Sequence, residues 1–304
     1  MNRRDFLRLS TVSLGAGALI QFAPNAARAE GLLSHLRHRN GEAPSAFSFV
    51  QLSDTHVGFN GPPDPLGTAA FERAVDVINA LDPLPELVLF TGDLTHDSED
   101  AAEHAKRMRT FRDISSRLRV KTRYHVPGEH DAGLDGGTLF RENFGETHYS
   151  FDHRGVHFVA IDNVSRGRPI AGKEQIAWLA RDLARFPNTT PIVLFTHRPI
   201  FDLKPEWEWF TGDGDEIVKL LAPFDAVTVL YGHIHREHSA TAGHVQHRAA
   251  PSLIFGFPDP SALEKKPLPF DKTHPFANLG AIEITSRRVS GTEGVQQILR
   301  EVTL

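Results

Sequence analysis

The sequence predicts an α/β fold in which two facing β-sheets of mixed strand direction are flanked by helices on their outer sides. Short apolar runs alternate with segments of helical periodicity, and this alternation indicates parallel strands joined by sheet-covering helices. Other apolar runs are separated only by tight turns, which is typical of antiparallel hairpins. The prediction of mixed sheets combines these two patterns.

The parallel framework is predicted from five apolar runs, each of strand length and bounded by turn residues. The central run lies within residues 87–93; it reads Leu-Val-Leu-Phe-Thr and stops at Gly92 and Asp93. Continuous apolar character is typical of a strand that is buried on both faces. The other four runs are residues 47–52, 122–126, 191–196 and 226–231.

Three segments carry apolar residues at spacings of three and four, as on the buried face of a helix. In the first segment these residues are Phe71, Ala74, Val75, Ile78 and Leu81. The second segment begins with Ser-Glu-Asp, which supplies capping residues and an acidic first turn. We therefore predict helices over residues 71–81, 98–119 and 173–186.

The remaining elements are hairpins, a last strand and two irregular stretches. Residues 147–151 and 156–161 form one predicted hairpin pair, a second hairpin follows Ala240, and a last strand covers 279–284. Pro and Gly interrupt regular structure in two places, residues 57–65 and 258–275. We expect the first stretch to form a wall beside a site and the second to be a surface loop.

The N-terminus resembles a twin-arginine export signal. Arg3 and Arg4 precede an apolar stretch from Leu9 to Phe22, and residues 27–29 supply a small-x-small cleavage pattern. The alternative is a short amphipathic or anchoring N-terminal helix. The apolar stretch is short and rich in Gly, Ser and Thr, so we expect no stable membrane insertion.

Three segments follow from this interpretation: a signal peptide over residues 1–29, a tether over 30–45 and a folded domain over 46–304. The signal would engage the twin-arginine translocase, which transports folded proteins. We therefore expect a periplasmic location.

Composition limits the possible partners and ligands. The formal net charge of -5 argues against a dedicated nucleic-acid surface or a polybasic membrane anchor. The chain has no cysteine, which excludes disulfides, zinc ribbons, iron–sulfur clusters and thiol catalysis. Any metal must therefore be held by oxygen and nitrogen atoms.

Asp, Glu and His residues follow all five strand-like runs, at the strand ends where α/β proteins bind their ligands. A single such residue is more often a cap or a solvated loop residue, but packing gives no reason for five such endings. Their carboxylates and imidazoles suit Zn, Fe, Mn or Co, and two ions sharing a carboxylate fit their number better than one. The residues are Asp54, His56, Asp93, Glu129, His197, His233 and His235.

These residues stand in motifs that resemble those of the calcineurin-like metallophosphoesterases. The motifs are Asp-x-His, Gly-Asp, Gly-Glu-His-Asp at 128–131, an isolated His, and Gly-His-Ile-His at 232–235. Their order and spacing match, and the resemblance covers roughly residues 47–238. It is strongest toward the bacterial cyclic-nucleotide phosphodiesterase-like branch and implies a four-layer αββα fold.

The resemblance also implies roles for individual residues. It places one ion on Asp54, His56 and His235, the other on Glu129, His197 and His233, and Asp93 between them. The ions would be two transition metals, Fe, Zn or Mn, and a metal-bound hydroxide would attack a phosphodiester or phosphomonoester substrate. His130 would protonate the leaving group or stabilise the transition state, with Asp97 as a residue that could orient it.

Glu129 departs from the family pattern, which has Asn at this position. An amide is neutral and can donate to phosphate, whereas a carboxylate is anionic and can only accept. One hypothesis is a working phosphoesterase in which Glu129 favours a ferric ion and a singly charged diester. The alternative is a binuclear metalloprotein with little esterase activity that serves metal handling, redox chemistry or an envelope partner.

Three further groups of residues have two interpretations each. Trp207, Trp209 and Phe210 lie in the loop after His197 and form either a substrate lid or a packing cluster. The histidines at 238, 244 and 247 form either a satellite metal site or scattered surface positions. Arginines 198 and 236, which each follow a predicted ligand, contact either phosphate or a surface carboxylate.

Overall fold

The computed structural model describes residues 46–288 and 295–304. The predicted signal peptide and tether lie outside these residues. The described chain forms two β-sheets with helices packed on their outer faces. The predicted α/β architecture of two facing mixed sheets is therefore confirmed.

The strands in chain order are β1 Phe47–Leu52, β2 Leu87–Thr91, β3 Arg123–Val126, β4 Tyr149–His153, β5 Val156–Ala160, β6 Ile192–Phe195, β7 Val227–Tyr231, β8 His238–Ala242, β9 Val245–Ala249, β10 Gly280–Arg288 and β11 Val295–Thr303. The helices are α1 Ala69–Asn79, α2 Ala101–Ser116, α3 Glu129–Ala132, α4 Thr138–Phe144, α5 Lys173–Leu183 and α6 Gly214–Leu221. A 3-10 turn covers Pro205–Trp207.

The first sheet has the strand order β11-β10-β1-β2-β3. Strands β1, β2 and β3 are parallel, with Phe49 opposite Leu87, whereas β10 runs antiparallel to β1. The second sheet has the order β4-β5-β6-β7-β9-β8, in which β5, β6, β7 and β9 are parallel and the two edge strands are antiparallel. The second sheet thus has a parallel centre and two antiparallel edges, whereas in the first sheet the parallel strands lie on one side and end at the edge strand β3.

Alternate side chains of each strand point into different layers of the core. In β1, Val50 and Leu52 pack with the helix residues Phe71 and Phe111, whereas Phe49 packs with the facing sheet. The inner layer joins the two sheets through aromatic contacts, including a 5.5 Å edge contact between the rings of Phe49 and Phe158. The order of layers is therefore helix, sheet, sheet, helix.

Some elements differ from the sequence prediction. Helix α2 begins later than predicted because the side chain of Asp100 caps it, accepting from the backbone N–H groups of Ala102 and Glu103 at 2.9 and 3.4 Å. Strand β11 and helices α3, α4 and α6 were not predicted. Strand β11 is polar along much of its length and shows no apolar run. Helices α3 and α4 are shorter than two helical turns, too short to show a helical period of apolar residues.

In the described part of the chain, no helix is both long and apolar enough to cross a membrane.

Candidate metal centre

The predicted ligands all lie at the carboxyl ends of parallel strands. Strands β1, β2 and β3 of the first sheet supply three carboxylates and one imidazole, and β6 and β7 of the second sheet supply three imidazoles. The site therefore straddles both sheets, at the edge where parallel α/β sheets bind ligands. The structure brings together Asp54, His56, Asp93, Glu129, His197, His233 and His235.

The backbone is strained where these residues lie. Among the described residues, eight other than glycine have a positive φ, and five of them are predicted ligands: Asp54, His56, Asp93, His233 and His235, with φ between 41° and 67°. This left-handed conformation costs roughly 1–3 kcal/mol per residue and persists only where surrounding structure enforces it. Strands β1, β2 and β7 thus end in sharp turns that aim the side chains after them into the site.

Two glycines permit the close approach of these turns. A Cβ atom on Gly128 would lie 2.0 Å from Oδ1 of Asp93, and one on Gly232 would lie 1.8 Å from Oγ of Ser53. Distances this short are not tolerated between nonbonded atoms. Glycine is therefore required beside the ligands at both positions.

The first group of donors is Asp54, His56, Asp93 and His235, all of them buried. The Nε2 atoms of His56 and His235 are 3.2 Å apart, and Nε2 of His235 is 3.4 Å from Oδ1 of Asp54. Nδ1 of His235 donates to the carbonyl of Phe255 at 3.0 Å. This hydrogen bond fixes the tautomer so that the lone pair of Nε2 faces the other donors.

The second group is Asp93, Glu129, His197 and His233. Oε2 of Glu129 lies 2.9 Å from Nε2 of His197, and Oε1 lies 2.8 Å from Nδ1 of His233. Nδ1 of His197 donates to the carbonyl of Thr91 at 2.7 Å, so Nε2 is the ring nitrogen that faces the two carboxylates. Nε2 of His197 and Oε2 of Glu129 are buried without a hydrogen-bond partner.

Asp93 belongs to both groups. Its Oδ2 atom lies 3.3 Å from Nε2 of His56 and 3.3 Å from Nε2 of His197. Its other oxygen, Oδ1, accepts from the backbone N–H of His130 at 3.0 Å. One carboxylate oxygen is therefore equally near a donor of each group, as expected of a bridging ligand.

The donor geometry fits metal ions. Donor atoms about 2.0–2.2 Å from one ion are roughly 3.0–3.5 Å from each other, and the distances within the two groups are close to this range. Lone pairs that face carboxylate oxygens in a buried site repel each other unless a proton or a cation lies between them. The arrangement is therefore suited to bind cations.

The protonation states also fit. Burial and the neighbouring imidazoles hold the pKa of His56 well below its usual range, and burial lowers the pKa of His233 despite the charge of Glu129. Burial raises the pKa of Glu129, but His233 and His197 outweigh it and hold that pKa well below the usual range. His197 differs: burial lowers its pKa, yet Asp93 and Glu129 raise it well above the usual value. A cation bound between these groups would take the place of that proton.

Comparison with known proteins identifies the family. The sequence pattern of the calcineurin-like phosphoesterases matches residues 47–237, which is more than half of the chain. The chain belongs to the calcineurin-like phosphoesterase family.

Three relatives of this family member illustrate the similarity. It is 27% identical over 208 residues to the probable glycerophosphodiester phosphodiesterase GpdQ of Arcobacter nitrofigilis, covering 62% of this chain and 71% of the relative. It is 24% identical over 219 residues to the 3',5'-cyclic-nucleotide phosphodiesterase alr5338 of Nostoc, covering 69% and 79%. A crystal structure of a dimetal phosphatase from Danio rerio has the same fold, with a TM-score of 0.57, 13% identity and coverage of 84% and 96%.

This membership supports a phosphoric ester hydrolase, and the predicted catalytic residue lies beside the two donor groups. His130, the predicted catalytic residue, is partly exposed, and its Nδ1 lies 2.5 Å from Oδ1 of Asp97. Burial lowers the pKa of His130, but Asp93, Glu129 and Asp97 outweigh it and raise that pKa above its usual value. Asp97 therefore has the position predicted for a residue that orients His130.

His96 forms part of the same cluster. Its ring stacks on that of His130 with centroids 4.6 Å apart, and its Nδ1 lies 3.2 Å from Nδ1 of His56. His96 is not among the predicted ligands, nor is it the predicted catalytic residue. Its contact with a predicted ligand and with the predicted catalytic residue could not be read from the strand pattern.

Asp131, the last residue of the Gly-Glu-His-Asp motif, holds two of the turns together. Its carboxylate accepts from the backbone N–H groups of Leu94, Thr95 and Gly128 at 2.8–3.0 Å. Burial and the charge of Asp93 raise its pKa to about 7 despite these hydrogen bonds. The sequence shows this residue in the motif, but its positioning role requires the structure.

The Trp-rich loop packs against the protein core. Trp207 is 6% exposed and Trp209 is fully buried, and both belong to a cluster with Tyr231, Ile234 and Ala249. Of the two interpretations of these tryptophans, the structure therefore supports packing.

The three histidines of the possible satellite site do not form a metal-binding group in the described residues. His244 is exposed, but His247 is buried and its ring contacts Phe201 at 4.8 Å. The expectation of a surface position is therefore wrong for His247. Its place on β9, where buried residues alternate with partly buried polar ones, could have indicated burial.

The two arginines also differ. Arg236 pairs with the exposed Asp259 at 3.2 Å, as expected of a surface salt bridge. Arg198 is buried and its Nη2 lies 3.2 Å from Oε1 of Glu129. Arg198 thus contacts a predicted metal ligand, which neither sequence interpretation anticipated.

Proposed function

We propose that this protein is an exported phosphodiesterase that depends on two transition-metal ions, Fe, Zn or Mn. The observation that carries this proposal is the position of Asp93, whose Oδ2 is 3.3 Å from one imidazole nitrogen of each donor group. The first ion would be held by Asp54, His56, Asp93 and His235, and the second by Asp93, Glu129, His197 and His233. When bound, the paired ions would activate water and offset charge on the phosphoryl oxygens.

His130 is proposed to donate a proton to the leaving oxygen. Its Nδ1 is engaged by Asp97, so the opposite nitrogen of the ring is the one available to substrate. Its backbone N–H donates to Asp93, which fixes the start of α3 relative to both donor groups. This arrangement matches a general acid that is positioned by a carboxylate on one side and is free on the other.

Two observations support a diester substrate. Both bacterial relatives described above are named phosphodiesterases. In addition, Glu129 can only accept hydrogen bonds where the family's Asn could donate one to phosphate. The loss of this donor weakens binding of a phosphomonoester dianion more than binding of a singly charged diester.

The proposal is tested by assaying natively purified protein and metal-loaded protein with matched aryl phosphodiesters and aryl phosphomonoesters. We expect metal-dependent hydrolysis with a larger kcat/KM for the diester and about two bound metal ions per chain. Absence of hydrolysis across Fe, Zn and Mn would overturn the proposal, and a larger kcat/KM for the monoester would overturn its diester part.

Export is proposed from the N-terminal sequence alone. Fusing residues 1–29 to a folded reporter should direct the reporter to the periplasm. Replacing Arg3 and Arg4 by lysine should abolish this transport if the signal is of the twin-arginine type. Transport that survives this replacement would contradict the proposed route.

Glu129 also favours a second candidate function, a binuclear metalloprotein with little esterase activity. The variant Glu129→Asn distinguishes the two, because it restores the family's amide. A large gain in esterase activity supports the second candidate, whereas a loss supports the phosphodiesterase.

A further inference from the structure

Arg198 is held in a fixed position beside Glu129. Its guanidinium Nη2 lies 3.2 Å from Oε1 of Glu129, and Nη1 donates to the carbonyl of Glu208 at 2.8 Å. Only 8% of the Arg198 side chain is exposed, so solvent screens this pair little. The cation is therefore an integral part of the surroundings of Glu129.

The backbone of Arg198 is fixed as well. Its N–H donates to Oδ1 of Asn163 at 3.2 Å, and its carbonyl accepts from Nδ2 of the same side chain at 2.9 Å. Asn163 is fully buried just after β5 and also donates to Oγ1 of Thr211. The backbone is thus fixed by Asn163, and the guanidinium can leave its position only by breaking its own contacts with Glu129 and Glu208.

The loop that follows Lys204 is shaped to bind cations with its carbonyl groups. Glu208 has a left-handed backbone with φ of 61°, and its carbonyl accepts from Arg198. The preceding carbonyl, that of Trp207, accepts from Nζ of the exposed Lys265 at 3.0 Å. Two successive carbonyls thus accept hydrogen bonds from two cationic side chains, Arg198 and Lys265.

The two oxygens of Glu129 have different partners. Oε1 contacts Arg198 and His233, whereas Oε2 faces His197 and has no hydrogen-bond partner. With the carboxylates of Asp54 and Asp93, Glu129 brings the formal charge of the donor set to three negative. The guanidinium of Arg198 reduces the total to two negative, the value that the same site would have with a neutral amide at position 129. The carboxylate of Glu208 also lies 3.9 Å from Nη2 of Arg198, but its side chain is 69% exposed, so solvent screens its charge.

We propose that Arg198 is the built-in counter-ion of Glu129, and that it makes the site formed by Asp93, Glu129, His197 and His233 select a divalent over a trivalent ion. This inference rests on the proposed binuclear centre. It replaces the expectation that Glu129 favours ferric iron, because the added negative charge is already offset within the protein. Arg198 is a positioning residue that acts through Glu129.

Arg236 provides a matched control. It also directly follows a predicted ligand histidine, His235, but its guanidinium pairs with the exposed Asp259. The variant Arg236→Met therefore removes an arginine from the equivalent chain position without removing a counter-ion of a ligand.

The experiment measures metal selectivity without turnover. Full-length protein is stripped of metal and dialysed to equilibrium against buffered Zn²⁺ and Ga³⁺, where Ga³⁺ is a redox-inert substitute for ferric iron. The bound ratio of gallium to zinc is then determined by elemental analysis. We expect the ratio to rise at least tenfold in Arg198→Met, because one unit charge at about 5 Å affects a trivalent ion more than a divalent one.

Three more variants separate charge from structure. Arg198→Lys keeps the charge and should keep the ratio within about threefold of wild type, whereas Glu129→Gln should lower it at least tenfold. The double variant Glu129→Gln/Arg198→Met should return the ratio to within about threefold of wild type. If Arg198→Met does not fold, Glu129→Gln tests the same pair from its other side.

The outcomes are distinct. A wild-type protein that binds neither ion overturns the proposed binuclear function itself. A wild-type protein that binds both ions, with a ratio that is unchanged in Arg198→Met and Glu129→Gln, overturns only the role of Arg198. An equal rise of the gallium-to-zinc ratio in Arg236→Met also overturns the role of Arg198, because the effect would then follow from the overall charge of the protein.

Discussion

Asp54, His56, Asp93, His233 and His235 each hold a backbone conformation that residues with a side chain rarely adopt. Asp and His tolerate it better than β-branched residues, but it still opposes folding. At Asp54 part of the compensation is visible, since its carboxylate accepts from the backbone N–H of His233 at 3.1 Å. The turns of the two sheets therefore hold each other in their strained forms.

The close approach at Gly128 can be tested with one added methyl group. Gly128 has an ordinary φ of -99°, so Gly128→Ala introduces steric contact with Asp93 and no backbone strain. We expect loss of metal binding, and a lowering of the free energy of unfolding by about 1–3 kcal/mol. Metal content is measured by elemental analysis, and the free energy of unfolding is measured by urea unfolding.

Gly212→Ala is the control for this prediction. A Cβ at that position would meet its nearest neighbour at an ordinary 3.4 Å, and its φ is not positive. The stability and metal content of Gly212→Ala should match those of wild type. If Gly128→Ala also retains its metal, the proposed close packing at Gly128 is contradicted.

The pair formed by His130 and Asp97 predicts a non-additive effect on turnover. His130→Ala should lower kcat by about 10²–10⁴-fold, because it removes the proposed proton donor. Asp97→Asn should lower kcat by less, and it should have no further effect when His130 is already replaced. Equal losses for Asp97→Asn in both backgrounds would show that Asp97 acts independently of His130.

At the residue scale, the residues of the two donor groups were predictable from sequence, and the residues that contact them were not. Asp54 or Asp93 can be found from sequence because each follows an apolar strand, and strand ends share one edge of the fold. Asn163 and Arg198 act through contacts between loops that are far apart in the chain. The loops of Asn163 and Arg198 meet because they follow the neighbouring strands β5 and β6, and the packing of the two sheets brings Arg198 beside Glu129.

At the element scale, a buried ionic network joins the hairpin of β4 and β5 to helix α5. His157, 1% exposed on β5, lies between Asp152 on β4 and Asp182 on α5, with 2.7 Å from each ring nitrogen to a carboxylate oxygen. Arg185 and Ser150 also contact Asp182. The network lies at the amino end of β5, the end opposite the metal centre, and helps to hold the helix on the sheet.

This network predicts a pH dependence of stability. Burial lowers the pKa of His157, but Asp152 and Asp182 outweigh it and raise that pKa above the unfolded value of about 6.5. The folded protein therefore binds this proton more tightly, and the resulting stability is complete below pH 6.5 and is lost as pH rises through the raised pKa. Burial raises the pKa of Asp182, but His157 and Arg185 outweigh it and lower that pKa below its usual value. The stability that Asp182 contributes is therefore lost only as the pH falls into the acid range.

The measurement is the free energy of unfolding of wild type and His157→Gln at pH 6 and pH 9. We expect the difference between the two proteins to be larger at pH 6, by about 1 kcal/mol or more. His244→Gln changes an exposed histidine in the turn between β8 and β9 and should show no such dependence. A difference that is larger at pH 9 would mean that His157 is neutral in the folded protein.

Among the elements, helices α1, α2 and α5 and the central strands were predicted because they carry a clear period or a continuous apolar run. Strand β11 was missed because it is an edge strand with many polar residues. Its pairing with β10, where Ile284 lies opposite Leu299, is a tertiary interaction that local periodicity does not encode. Short helices such as α3 are set by the site around them.

At the scale of the whole molecule, the proposed ions would connect the two sheets. Three carboxylates come from the first sheet and three of the four imidazoles from the second. A connection that does not need metal also exists, since Nε2 of the buried Gln51 donates to the carbonyl of Tyr231 across the sheets at 2.9 Å. The sheets should therefore remain packed without metal but be held less tightly.

Removal of metal should lower stability measurably. Ions that bind only the folded state stabilise it by about 4 kcal/mol when their concentration is a thousand times the dissociation constant. We expect chelation to lower the Tm of wild type, and we expect Asp93→Asn to have a lower Tm that chelation hardly changes. Both Tm values come from calorimetry, and an unchanged wild-type Tm would contradict a metal link between the sheets.

The pairing of β1 with β10, which places Phe47 opposite Ser286, has a consequence for biosynthesis. A ribosome releases β1 long before it makes β10, so one edge of β1 has no partner during most of translation. Such an edge pairs readily with other nascent chains. We therefore expect the early-emerging half of the chain to need shielding, by a chaperone or by rapid elongation, until β10 and β11 are made.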